Sequence, residues 1–271
     1  MISPNELLLL SPVFDPKLVN LTTRFRRRWK FLQICRVSPK KPKRVISQQS
    51  LVNTHQSTVN NSPLPITHYR FPMQKIALFG TSADPPTAGH KTILSWLSQH
   101  FDWVAVWASD NPFKSHQTSL EHRSAMLLLM IQEINSPRHN LCLHPELSSP
   151  KTLETVEQAR LLWPDAELTL VIGSDLVGQL SRWYKFEELL KQVELLIVPR
   201  PGYPSEQLDL WQLRRIGAEV AIASLNAPNV SSTFYRETGD TQALTPTIED
   251  YINREHLYAW HEAQKRVKVA H

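Results

Sequence analysis

Residues 76–90 read Ile76-Ala77-Leu78-Phe79-Gly80-Thr81-Ser82-Ala83-Asp84-Pro85-Pro86-Thr87-Ala88-Gly89-His90. The first four form an apolar run that ends at a glycine, the pattern of a strand covered on both faces in a parallel sheet. From Gly89 to His100, Ile93, Leu94, Trp96 and Leu97, and then Phe101, recur at three- and four-residue spacing and mark one buried helical face. Between strand and helix, Gly80 permits a tight turn and Thr81 and Ser82 offer hydroxyl and backbone donors. Gly89-His90 opens a helix whose free amides favour an anion. The arrangement predicts a phosphate site, although taken alone it also describes an ordinary strand-to-helix loop with a capping role. It is not a Walker loop, for no Gly-Lys-Ser/Thr follows, nor the dinucleotide fingerprint of three spaced glycines.

Further along the chain, strand and helix patterns alternate. Trp103–Trp107 reads as a strand, Glu121–Ile134 as a second amphipathic helix, Asn140–Leu143 as a short strand, and Lys151–Trp163 as a helix stopped by Pro164. Leu168–Ile172 and Leu195–Val198 are two more apolar runs, ended by Gly173 and Pro199. Crossovers of this length predict an α/β fold with a doubly wound parallel sheet and a ligand site outside the carboxyl ends of the strands. From about Ser231 the chain reads as a helical C-terminal part. Ser231, Ser232 and Thr233 stand at a predicted helix start with Arg236 on its first turn, so hydroxyls, amides and a guanidinium can converge on one anion. By itself this too could be a good helix cap.

Of the 271 residues, 41% are hydrophobic and 20% charged, enough for one sizeable domain or two small ones. No run of eighteen apolar residues occurs, so no membrane-spanning helix is expected. The 2 cysteines, Cys35 and Cys142, supply neither a disulfide framework nor a four-thiolate zinc site; both are expected as buried thiols in a reducing compartment, and the expected location is cytoplasmic. The net charge of +5 is unevenly spread: residues 1–72 hold 12 Lys/Arg against 2 Asp/Glu and none of the 7 glycines. This segment, with Arg26-Arg27-Arg28 and Lys40-Lys41-Pro42-Lys43-Arg44, reads as a disordered basic extension to a domain spanning 73–271. Three readings compete for it: a transit peptide, a basic arm for nucleic acid or membrane, or translation from a start upstream of the real one. The last is preferred because Met73 is followed at once by Gln74-Lys75 and the buried-strand pattern.

Residues 73–260 resemble the nucleotidyltransferases with an HxGH or TxGH motif, and within them the bacterial nicotinate-nucleotide adenylyltransferases. Their first loop, approximately Gly-Gly-Thr-Phe-Asp-Pro-x-His-x-Gly-His, is matched at Gly80, Ser82, Asp84, Pro85, Gly89 and His90, with Thr87 in place of the first histidine. Asn111-Pro112-Phe113-Lys114 is similar to the family's Pro-Pro-His-Lys loop, and Arg123 with Met126 to its next helix. Thr152, Glu154 and Thr155 resemble its Thr-x-Asp-Thr segment, Gly173-Ser174-Asp175 its Gly-x-Asp strand end, and Trp183 with Leu189 its tryptophan loop and helix. Arg200-Pro201-Gly202, Ser231-Ser232-Thr233 with Arg236, and Tyr251-Ile252 to Leu257-Tyr258 complete the likeness in the same order.

The resemblance implies a Rossmann-like nucleotidyltransferase that transfers AMP from ATP to nicotinate mononucleotide, releasing pyrophosphate, with Mg²⁺ assisting. It implies that His90 contacts the phosphates at the reacting centre, with Thr87 beside it. Gly80, Thr81, Ser82, Gly89, Ser231, Ser232, Thr233, Arg236, Gly173 and Asp175 are expected around the nucleotide, Asp175 towards the ribose. Lys114 is expected on a phosphate, Thr152 near the nicotinate carboxylate, and Trp183 against the pyridine ring. Lys151 replaces a tyrosine common before Thr152. No dedicated metal ligands are expected, Mg²⁺ being held largely by phosphates and water. Nicotinamide mononucleotide, phosphopantetheine and a non-catalytic nucleotide-binding regulator remain the alternatives; a homo-oligomer is left open, and nucleic-acid binding ranks below the enzyme reading. For the start-site reading, the intact mass of the native protein is expected to match a chain beginning at or near Met73, and a mature N-terminus well upstream would overturn it.

Overall fold

β1 (Lys75–Thr81) is the strand announced by Ile76–Phe79, and its alternation builds two cores at once. Ile76 and Leu78 point to one face of the sheet, Ala77 and Phe79 to the other, and all four are buried. The computed structural model describes residues 73–111, 114, 118–200, 202–203 and 210–258. The expected disordered extension, residues 1–72, lies outside the described residues.

Five further strands join β1: β2 (Trp103–Ala108), β3 (Leu141–Leu143), β4 (Glu167–Gly173), β5 (Glu194–Val198) and β6 (Val220–Ile222). All pairings are parallel, in the order β3-β2-β1-β4-β5-β6. Helices α1 (Ala88–His100), α2 (Leu120–Glu133) and, near the C-terminus, α7 (Pro246–Arg254) cover the Phe79 face. Helices α3 (Thr152–Leu162), α4 (Phe186–Leu190) and α5 (Leu210–Arg215) cover the Leu78 face. The remaining helix, α6 (Ser232–Thr238), starts at the Ser-Ser-Thr motif. The doubly wound parallel sheet is therefore present, as is the helical C-terminal part.

Expected and observed elements from β1 to β5 agree to within a residue or two. β6 was not foreseen, and its composition explains why: it has three residues, Ala221 and Ile222 are exposed, and its strand state comes from pairing Val220 with Leu195 of β5. Among the described residues no helix is long and apolar enough to cross a membrane. Cys142, in β3, is buried; Cys35 lies outside the described residues.

Gly80 has a different role from the one read in the sequence. It belongs to β1 and stands opposite Trp107 of β2, whose indole is buried over it. A Cβ at position 80 would lie 2.5 Å from the indole ring carbons. The left-handed residue of the loop is instead Ala83, with φ of 46°. Gly80→Ala is expected to lower the free energy of unfolding by about 1–3 kcal/mol, measured by urea denaturation; an unchanged midpoint would show that the indole moves aside without cost.

Candidate active site

The strand order reverses between β1 and β4, and the chains leaving these neighbours turn to opposite faces of the sheet. A crevice opens at such a point because no connection crosses it. Here it is a cleft of about 940 Å³, a size suited to a nucleotide substrate. Every residue singled out from the sequence as catalytic, phosphate-binding or substrate-binding lines this one cleft.

His90 is the third residue of α1, and both its ring nitrogens are committed. The backbone N–H of Thr87 donates to Nδ1 at 3.0 Å, and Nε2 lies 2.9 Å from Thr81 Oγ1 at the end of β1. A backbone amide can only donate, so Nδ1 is the acceptor and Nε2 carries the proton of the neutral ring. Burial, helped by the charges of Arg200 and Lys114, holds the pKa down to about 3. His90 is thus a neutral hydrogen-bond donor at physiological pH rather than a cation. Thr87 is 1% exposed and its hydroxyl lies 3.0 Å from the same Nδ1, so it backs the ring.

The loop between β1 and α1 is held by its carbonyls. Arg123 of α2 donates through Nη1 to Ser82 O at 2.9 Å, Arg236 of α6 to Asp84 O at 2.6 Å, and Ser232 to Pro85 O at 2.7 Å. The two separated motifs of the sequence are therefore bonded directly to each other. The Asp84 carboxylate is 1% exposed and accepts from Thr118 at 2.7 Å and from the Tyr258 hydroxyl at 2.6 Å. Burial and the Asp84 charge push the Tyr258 phenol well above its usual range, so it remains a donor. Ser231 caps α6 by accepting from the Phe234 N–H, and Thr233 accepts from Arg236 Nη2.

Positive charge gathers in the same cleft. Arg200, at the end of β5, lies 3.3 Å from Asp175 after β4. Gly173 leaves room for that pair, since a Cβ there would come within 2.7 Å of Arg200 Nε and closer still to Asp175. Lys114 sits among the same groups: desolvation lowers its pKa, Asp175 raises it, and Arg200 and Arg236 lower it again. Thr152, at the start of α3, and Trp183 are half-buried at the other end of the cleft, where Lys151 lies over the Tyr184 ring at 4.8 Å. Gly89 differs from Gly80 and Gly173, because a Cβ there meets nothing closer than 3.5 Å. Three residues of this architecture were not singled out for the site from the sequence: Arg200, Thr118 and the role of Tyr258. Arg200 was within reach of the rule that ligands gather at strand carboxyl ends, whereas the Asp84 contacts span 34 and 174 residues and carry no local signal.

Residues 78–238 match the cytidylyltransferase-like family. The chain is 41% identical over 197 residues to a probable nicotinate-nucleotide adenylyltransferase of Synechocystis sp., covering 68% of this chain and 98% of that protein. It is 29% identical over 196 residues to the nicotinate-nucleotide adenylyltransferase of Bacillus subtilis, covering 69% and 99%. Among solved structures, the Plasmodium falciparum nicotinic acid mononucleotide adenylyltransferase complexed with NaAD has the same fold. The TM-score is 0.59 at 21% identity, over 69% of this chain and 98% of that one.

The low pKa of His90 has a consequence for stability. Its folded value, about 3, lies below the unfolded value of 6.5, so stability from the neutral ring is complete above pH 6.5 and lost as pH falls towards 3. Over that window the unfolding free energy of the protein is expected to fall more steeply than that of His90→Gln, by up to ~1.4 kcal/mol per pH unit. Equal slopes in urea denaturation at several pH values would show that His90 takes up its proton in the folded state.

Proposed function

The chain belongs to the cytidylyltransferase-like family and, within it, to the nicotinate-nucleotide adenylyltransferases, and from that membership we propose that it transfers AMP from ATP to nicotinate mononucleotide. A 5′-phosphate oxygen of the mononucleotide attacks the α-phosphorus of ATP. The bond from that phosphorus to the bridging oxygen of the β-phosphate breaks, and pyrophosphate leaves. Nicotinate adenine dinucleotide remains, a step in NAD biosynthesis. The nucleophile is itself a phosphate, so the protein supplies alignment and charge stabilisation rather than a covalent intermediate.

The observation that supports this reading best is the union of two loops, around His90 and Arg236, in one cleft that Lys114 and Arg200 also line. His90 donates a hydrogen bond through Nε2–H to an oxygen at the reacting centre, exchanging its Thr81 partner for the phosphate. Thr87 fixes the tautomer through its backbone N–H. Lys114, Arg200 and Arg236 meet the polyphosphate charge, with Ser231, Ser232 and Thr233 beside it. Thr81, Ser82 and Gly89 border the phosphate path, and the open space at Gly89 suits close approach of a ligand. Gly173 and Asp175 lie toward the ribose, and Thr152 and Trp183 toward the pyridine ring. Among the described residues no group of three or more His, Cys, Asp or Glu could hold a metal ion. Mg²⁺ enters as part of Mg-ATP, held by phosphates and water. The reading includes a cytoplasmic location, since the reaction draws on the ATP pool.

Pyrophosphate release from Mg-ATP is expected with nicotinate mononucleotide in preference to nicotinamide mononucleotide and phosphopantetheine, tested in parallel. Silence with all three from a folded, ATP-binding protein would overturn the reading in favour of a regulator. Removing the His90 donor in His90→Ala should lower kcat by about 10²- to 10³-fold, and an undiminished rate would remove the role given to His90.

A further inference from the structure

Arg123 lies in the first turn of α2 and is 2% exposed. That is a costly position for a cation on two counts. The N-terminal turn carries the positive end of the helix dipole, and a guanidinium taken out of water loses its hydration. Its Nη1 atom donates to two backbone carbonyls, Ser82 O at 2.9 Å and Ser109 O at 2.8 Å. The carboxylates of Asp84 and Asp110 provide opposite charge around it.

The two carbonyls belong to different segments of the cleft. Ser82 is in the loop after β1, and Ser109 follows β2 directly and begins the segment that carries Lys114. Both residues line the cleft. A carbonyl oxygen turned towards a phosphate would repel it, so a loop that receives an anion must direct its carbonyls elsewhere. Along this loop the Thr81 carbonyl is taken by the Ser109 N–H, and the Asp84 and Pro85 carbonyls by Arg236 and Ser232. Arg236 and Ser232 line the cleft and can meet a ligand; the buried Arg123 holds the loop from behind.

We propose that Arg123 is a positioning residue for the nucleotide: from behind the loop it draws the Ser82 and Ser109 carbonyls away from the cleft, so that the polyphosphate meets amide hydrogens and the Lys114 segment leaves β2 at a fixed angle. The inference rests on the reading of the cleft as an ATP site. It is specific to the nucleotide side, since neither carbonyl belongs to the Thr152 or Trp183 end where the acceptor base is placed.

The test uses the full chain with Arg123→Met, which fills the space without donors, and Arg123→Lys, whose shorter stem stops the ammonium short of both carbonyls. Mg-ATP affinity is measured by titration calorimetry at a temperature where circular dichroism shows each protein folded, and KM for each substrate by pyrophosphate release. Loss of positioning predicts Mg-ATP binding weakened about 10- to 100-fold in Arg123→Met, a smaller loss in Arg123→Lys, and KM for nicotinate mononucleotide within about twofold of wild type. A folded Arg123→Met with wild-type ATP affinity overturns the proposal, even with a lowered melting temperature. So does a rise in KM shared equally by both substrates. Should Arg123→Met not fold, Arg123→Lys decides in the same terms: weakened ATP binding supports the proposal and unchanged binding overturns it. Wild-type protein that binds no ATP would instead overturn the reading of the cleft, which keeps the two failures apart.

Discussion

The reversal of strand order between β1 and β4 is the constraint on which the rest depends. Parallel pairing forces every connection to return across one face of the sheet, and a right-handed crossover from β1 must cover the opposite face from one leaving β4. The loops after these neighbouring strands therefore part, and the gap cannot be filled by the chain's own connections. Each chemical group of the site is placed relative to that gap: His90 by the loop after β1, Asp175 by the end of β4, Arg200 by the end of β5. The C-terminal part adds Arg236 and Ser232 from α6 and Tyr258 from beyond α7, on the Phe79 side, where it packs on the same core as α1 and α2.

Charge is handled unequally across the cleft. Basic side chains, Lys114, Arg200 and Arg236, line it, while the one imidazole among them is kept neutral by burial and by the charges of Arg200 and Lys114. A neutral ring with its Nδ1 tied to a backbone amide keeps one tautomer and one orientation. It presents a proton without the hydration cost that a buried imidazolium would carry. The threonine at position 87 suits this arrangement, since its hydroxyl and amide both face the ring and neither adds a titrating group.

Much of the fold was legible from periodicity, because β1, β2, β4 and β5 are buried on both faces and must be continuously apolar, while α1, α2 and α3 need only one apolar stripe. β6 escaped because an exposed edge strand of three residues imposes no pattern on composition. In the candidate site, residue types at strand ends and helix starts pointed to residues that line one cleft, yet not to the contacts of each residue. Gly80 was read as a turn glycine when the indole of Trp107 requires its bareness, and no sequence feature announces a ring on a neighbouring strand. The state of His90 depends on burial and on Arg200, some 110 residues further along. Arg236 and Ser232 read as ligands for an anion, and in the structure they also hold the loop carbonyls of Asp84 and Pro85.

The bond from Tyr258 to Asp84 joins two residues 174 positions apart, one in the loop after β1 and one after α7. During synthesis, β1 through β5 leave the ribosome while Tyr258 is still unmade, and the sheet can assemble on them as each crossover is completed. The loop after β1 cannot reach its final form at that stage, for the phenol that anchors the Asp84 carboxylate is made after the whole sheet. A nascent chain thus passes through a state with a formed core and an unfastened loop after β1, in which the Asp84 carboxylate still lacks its phenol donor.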